Sequence, residues 1–262
     1  MKLFTFGCSY TNYYWPCWSD LLGYQFNDFQ NWAISGLGNN AIMQRVHEAL
    51  TKNTITKDDY VVVQFTDFNR IDIHSMGILP FGNWRAGGNI WMKGGVEEPW
   101  IQQTWNEESY MYMNHNYISM TINFLKSLEC KWAITSSVDV PALIKEQPFV
   151  HNKEIYDNWV TPIQSYSDDV KSPEINVTYK DQDPISFFSK RKKVEQDKHP
   201  SISTHANWIK NCLAPALDIN IDKNEFLQHY LTNEELDVNM VDKNNLFYTK
   251  FKWDGKFQYF GF

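Results

Sequence analysis

DYVVVQF, residues 59–65, is the clearest buried strand in the chain. Its β-branched run does not alternate with polar residues, as expected for a strand covered on both faces, which is the habit of parallel sheets packed between helices. Working outward, residues 2–6 predict a second buried strand, residues 15–22 a helix with Pro16 in its first turn and Gly23 just past its end, and residues 29–34 another strand. Residues 39–50 place Ile42, Val46, Ala49 and Leu50 on one helical face. Residues 110–127 resume helical spacing, and residues 131–135 predict a further strand. This alternation of strand and helix predicts an α/β fold with a central parallel sheet, and ligands at the carboxyl ends of its strands.

Three regions depart from the alternation. Residues 70–108 dissolve into GILPFGNWRAGGNIWMKGG and its flanks, a long irregular insertion rich in aromatic residues. Residues 138–195 are polar and weakly patterned, and residues 201–217 are helical with a late interruption at Pro215. The final part, 218–262, reads as a C-terminal extension with a helix over 224–235 and a β-hairpin in LFYTKFKWDGKFQYF that turns at Asp254-Gly255. The expected organisation is therefore a domain over 1–217 and an extension over 218–262. Three roles are open to the extension: covering the sheet, forming a homo-oligomer contact, or anchoring the chain in an assembly.

Composition bounds the function. With 262 residues, 43% of them hydrophobic, the chain supports a substantial core. A formal charge of −7 argues against non-specific binding to nucleic acid or to an anionic membrane. The basic run at 190–193 is followed by Glu195 and Asp197 and reads as a solvated face. No stretch approaches the ~20 apolar residues of a membrane span, and the N-terminus lacks the pattern of a secretory signal. A cytoplasmic protein is the expectation. Cys8, Cys17, Cys130 and Cys212 lack CxxC spacing, and His74, His115, His151 and His229 lack the HExxH pattern, so neither a metal nor another cofactor is expected.

Candidate chemistry begins in FGCSYT, residues 6–11. Ser9 follows the first strand and precedes a helix, which puts its hydroxyl at the ligand edge of such a sheet. A serine nucleophile needs a base, an acid that orients the base, and N–H donors for the oxyanion. Asp197-Lys198-His199 offers acid and imidazole just before the last large helix, and NWAISGLGNN, residues 31–40, offers glycine N–H groups after the second strand.

GCSYT, NWAISGLGNN, VVVQF followed by TDFNR, and DKHPS together resemble the four blocks of the SGNH, or GDSL-like, serine hydrolase superfamily, in particular SGNH-like proteins of bacteriophages. The resemblance implies a flavodoxin-like three-layer α/β/α sandwich and ester hydrolysis through an acyl-Ser9 intermediate. It implies Ser9 as nucleophile, His199 as general base and Asp197 as its orienting acid. The oxyanion donors would be Ser9 N–H, Gly36 N–H with Gly38 as an alternative register, and the Asn69 side chain. Three departures accompany it: Cys8 stands where the pattern has Asp, strict register puts Asp67 or Phe68 in the slot of the third-block Asn, and one residue rather than two separates Asp197 from His199. Gln196 occupies the usual acid position.

Two further readings concern substrate. Arg70 is placed to hold a carboxylate or a sugar, or to form a structural ion pair. Trp84, Trp91, Trp100 and Trp105 suit either a sugar-stacking wall or packing that orders the insertion. The expected substrate is an acylated small molecule or carbohydrate, with hydrolysis and acyl transfer both open. The competing expectation, from the altered first and third blocks and the C-terminal hairpin, is a weakly active or inactive SGNH-like binding or phage structural module, which would be virion-associated through the C-terminal extension.

Overall fold

A computed structural model describes residues 1–13, 16–74, 84–89, 99, 103, 105–163, 175–176, 196–197, 199–232 and 257–259. The fold is mixed α/β, built on a parallel sheet flanked by helices. Its four principal strands are β1 (Lys2–Phe6), β2 (Asp28–Asn31), β3 (Tyr60–Phe65) and β6 (Lys131–Ser136). They lie in the order β6-β3-β1-β2, with the three-residue β9 (Phe257–Tyr259) parallel to β2 at the edge.

The sheet's alternation sorts its side chains between two cores. Leu3, Tyr60, Val62 and Ala133 join one cluster with Trp18, Leu21 and Leu22 of α1 (Trp18–Gly23). The same cluster takes in Ile202 and Ala206 of α5 (Ile202–Trp208) and Phe226 and Leu227 of α7 (Glu225–Thr232). Phe4, Phe6, Val61, Val63 and Phe65 face the other cluster, with Ile42 and Val46 of α2 (Asn39–Lys52) and Ile118 and Ile122 of α3 (Glu107–Lys126). Burial on both sides explains why residues 59–65 read as an uninterrupted apolar run.

Strand succession reverses at β1: the chain leaves β1 for β2 on one side, and returns through α2 to β3 on the other. In a doubly wound sheet, this reversal opens a crevice between the carboxyl ends of β1 and β3. The loops that leave those ends carry Ser9 and Asn69.

Several predicted boundaries shift for identifiable reasons. Cys17 is the extended residue ahead of α1, its N–H held by Asp20 Oδ2 at 2.8 Å, so Pro16 lies before the helix and Gly23 inside it. β2 ends at Asn31, although Trp32 N–H and Ile34 N–H still donate to the carbonyls of Thr5 and Gly7 at 2.8 and 3.3 Å. The irregular insertion contains an antiparallel pair, β4 (Arg70–His74) with β5 (Trp84–Asn89), which its Gly-rich sequence concealed. Between the strands and α5 lie a short α4 (Val140–Ile144) and the two-residue strands β7 (Ile175–Asn176) and β8 (Gln196–Asp197), which pair antiparallel.

At the end of α5 the helix widens into a π turn over Ile209–Leu213 before α6 (Ala214–Leu217). Pro215 has no N–H to give to the residue four positions earlier, and the widened turn stands immediately before it. In the C-terminal extension, Asn224 anchors α7 to α1: its Nδ2 donates to Leu21 O at 2.8 Å and its Oδ1 accepts from Leu227 N–H at 2.9 Å. The second arm of the predicted hairpin covers the β2 edge, whereas its first arm and turn lie outside the described residues. Among the described residues, no helix is long and apolar enough to cross a membrane.

Candidate active site

The turn that carries Ser9 is fixed by hydrogen bonds from several elements. Cys8 O accepts from the N–H groups of Thr11 and Asn12, both at 3.0 Å. Thr11 Oγ1 donates to Gln64 Oε1 at 2.7 Å, Ser19 Oγ donates to Thr11 O, and Asn12 Nδ2 donates to Ala33 O at 3.0 Å. Trp18 Nε1 is also directed at Gln64 Oε1, at 3.3 Å. Gly7 has to be glycine here, because a Cβ would stand 2.1 Å from Thr11 Oγ1. Ser9 itself is buried, at 4% exposure.

His199 is half-buried at the start of the segment leading to α5, whose N-terminus is capped by Ser201. Its ring stacks on Tyr13, with centroids 3.8 Å apart and planes at 18°, and meets Tyr10 edge-on at 5.3 Å. Both tyrosines belong to the Ser9 loop, so the predicted base docks on the loop of the predicted nucleophile. The backbone of Asp197 lies on β8 two residues before His199, and its side chain lies outside the described set.

The candidate oxyanion donors divide. Gly36 has φ of 87° in a turn closed by Leu37 N–H on Ile34 O at 3.2 Å, a conformation that favours glycine and does not consume Gly36 N–H. Gly38 N–H, by contrast, donates to Asp72 Oδ1 at 2.6 Å, while Asp72 Oδ2 accepts from Ala41 N–H at 2.9 Å. The alternative register through Gly38 is thus occupied by a carboxylate capping α2. Burial raises the Asp72 pKa, and the N–H groups of Ala41 and Gly38 and the charge of Arg70 pull it back down. Arg70 also directs its guanidinium toward Leu37 O at 3.4 Å, which places it beside this turn.

In the third block, Phe68 is buried, leaving Asn69 as the polar group there. Asp67 Oδ1 accepts from Asn69 N–H at 3.0 Å and from Asn69 Nδ2 at 3.1 Å, so the acid is tied back on its own loop. Trp91 and Trp100 lie outside the described residues, as does the side chain of Trp84, whereas Trp105 packs against Tyr110 just before α3.

Comparison with protein-family models, with curated proteins and with solved structures found no match.

The residues that hold the third-block loop were not legible in the sequence. Asn39 brackets Thr66, accepting from its N–H at 2.7 Å and donating to its carbonyl at 2.9 Å, and also donates to Asn114 Oδ1 at 2.6 Å. Asn114 Nδ2 in turn reaches Phe68 O at 3.3 Å. The partners of Asn39 are 27 and 75 residues away, so local pattern carried no signal. Replacing Asn39 by Ala strips partners from buried groups, each worth about 1–3 kcal/mol. The expected loss is at least about 2 kcal/mol in urea unfolding; a loss below ~0.5 kcal/mol would show that the loop holds itself.

Proposed function

We propose that this chain is a serine-dependent ester hydrolase of the SGNH type with a flavodoxin-like three-layer arrangement, acting through an acyl-Ser9 intermediate. The observation that carries the reading is the docking of His199 on the loop that presents Ser9, at the strand-order reversal. The strand order β2-β1-β3 and the two apolar clusters support the fold. Ser9 Oγ attacks the acyl carbonyl as His199 takes its proton, and His199 then returns that proton to the leaving alcohol. Water, deprotonated by His199, attacks the acyl-enzyme, and the proton passes back to Ser9 as the acid departs. Asp197 orients the imidazole.

The oxyanion is met by the N–H groups of Ser9 and Gly36 and by Asn69 Nδ2. That amide nitrogen carries two hydrogens; its bond to Asp67 orients the group and leaves the second for substrate. Each such donor contributes on the order of 3 kcal/mol to transition-state stabilisation. The substrate class is an acylated small molecule or carbohydrate, and an acceptor alcohol in place of water would give acyl transfer. The site needs neither metal nor cofactor. A cytoplasmic or virion-associated setting is part of the same proposal.

The test is turnover of p-nitrophenyl acetate. Wild-type protein is expected to hydrolyse it, with Ser9→Ala reduced by about 10³-fold or more and His199→Ala by about 10²–10⁴-fold. Equal rates for all three proteins would remove the reading. A second account rests on the altered blocks: Cys8 stands in place of Asp, and one residue rather than two separates Asp197 from His199. A binding or phage structural module that retains the site without turnover fits that arrangement, and it predicts no Ser9-dependent hydrolysis.

A further inference from the structure

An imidazole that serves as a base must present one nitrogen to the nucleophile, which requires its plane to be held. Rotation about the last torsion of histidine is soft, with a broad, roughly two-fold profile, so an external contact has to choose the plane. In acyl-transfer triads that contact is a carboxylate on the far nitrogen. Here the His199 ring lies on Tyr13, parallel to within 18° at 3.8 Å, with Tyr10 set steeply across at 68°. Turning the imidazole out of its plane would break the stack with Tyr13.

Tyr13 is useful for this purpose only if it is itself held, and its loop is held well. Thr11 is bound to Gln64 and Ser19, and Asn12 to Ala33, so the residues between Tyr10 and Tyr13 are tied to β3, α1 and the segment after β2. The N–H groups of Thr11 and Asn12 also close the turn around Ser9 on Cys8 O. Nucleophile and base are therefore referenced to one short hydrogen-bonded segment.

We propose that Tyr13 is a positioning residue for His199, its ring setting the plane in which the imidazole meets Ser9. The catalytic meaning of this contact rests on the serine-hydrolase reading. The stack does not. Tyr13 acts on the reaction through His199.

The experiment compares wild type, Tyr13→Phe and Tyr13→Leu as full chains. His199 ring protons, assigned by their loss in His199→Ala, are followed by NMR, and phosphonylation of Ser9 Oγ by a fluorophosphonate, with fluoride leaving, is timed by mass spectrometry. In wild type and Tyr13→Phe the ring protons are expected upfield, from the current of the stacked ring, and Ser9 is phosphonylated at similar rates. In Tyr13→Leu the upfield shift is lost and phosphonylation slows by up to about 10²-fold, the scale of a misplaced catalytic group. With p-nitrophenyl acetate the loss falls on kcat, with KM nearly unchanged. Tyr13→Phe guards against a folding artefact, because it restores the ring and not the hydroxyl.

Unchanged His199 shifts in Tyr13→Leu would overturn the stack, and an unchanged or faster phosphonylation rate would overturn its positioning role. A wild-type protein whose Ser9 is never phosphonylated would remove the hydrolase reading and the proposal's catalytic meaning with it. That outcome is distinct from wild-type labelling matched by Tyr13→Leu, which removes this proposal alone.

Discussion

Trp208→Ala is expected to lower the unfolding free energy by about 3–5 kcal/mol, the range for truncating a large core aromatic. Trp208 is fully buried at the end of α5, edge-on to Trp18 of α1 with centroids 5.7 Å apart, and its Nε1 donates to Thr161 O at 2.7 Å. Truncation leaves a cavity between the helix that follows the Ser9 turn and the helix that follows His199, and strips Thr161 O of that donor. Met120, more than half exposed on α3, is the comparison: Met120→Ala should stay within about 0.5 kcal/mol. Urea unfolding with unchanged m-values checks both. A Trp208→Ala loss below about 1 kcal/mol would mean that α1 and α5 do not share the packed core described here.

The second large effect is a pH dependence centred on His205. This side chain is 1% exposed on α5, and its Nδ1 is buried without a hydrogen-bond partner. Burial, reinforced by the nearby His199, pushes its pKa down from the ordinary 6.5 to about 3. The unfolded chain therefore binds a proton on His205 below pH ~6.5 that the folded protein refuses, so stability is fully present above that pH and is lost as pH falls toward 3. With ~1.4 kcal/mol per pH unit, lowering the pH from 7 to 5 should cost about 2 kcal/mol through this residue. His205→Leu removes the titration, and the difference in stability between the two pH values should shrink by that amount relative to wild type. An unchanged pH dependence would place His205 in water or against an unrecognised acceptor.

The contrast between His205 and His199 shows how far the sequence could be read. Both precede or lie within one helical stretch, six residues apart, and nothing in their spacing announces that one is sealed in the core while the other reaches the Ser9 loop. Strands were legible where burial on both faces left an unmistakable apolar run, as in β1 and β3. Gly36 was singled out only as a backbone N–H donor, and its φ of 87° is a separate reason for glycine there that the sequence did not announce. Gly38 was not separable from it, since its role depends on Asp72, 34 residues away. Asn39, Asn114, Thr11 and Gln64 read as ordinary polar residues, because the bonds that give them meaning cross between elements. Tyr10 and Tyr13 were masked for a related reason: in a chain with 16% aromatic residues, two tyrosines in a loop carry little information until a histidine is seen against them.

The most direct measurement is incubation of the purified full chain with a fluorophosphonate, followed by peptide mass mapping, with Ser9→Ala and His199→Ala alongside. The account predicts an adduct on Ser9 that is absent in Ser9→Ala and forms about 10²–10⁴-fold more slowly in His199→Ala. Folded wild-type protein in which Ser9 stays unmodified, under conditions that label an active serine esterase, would contradict it.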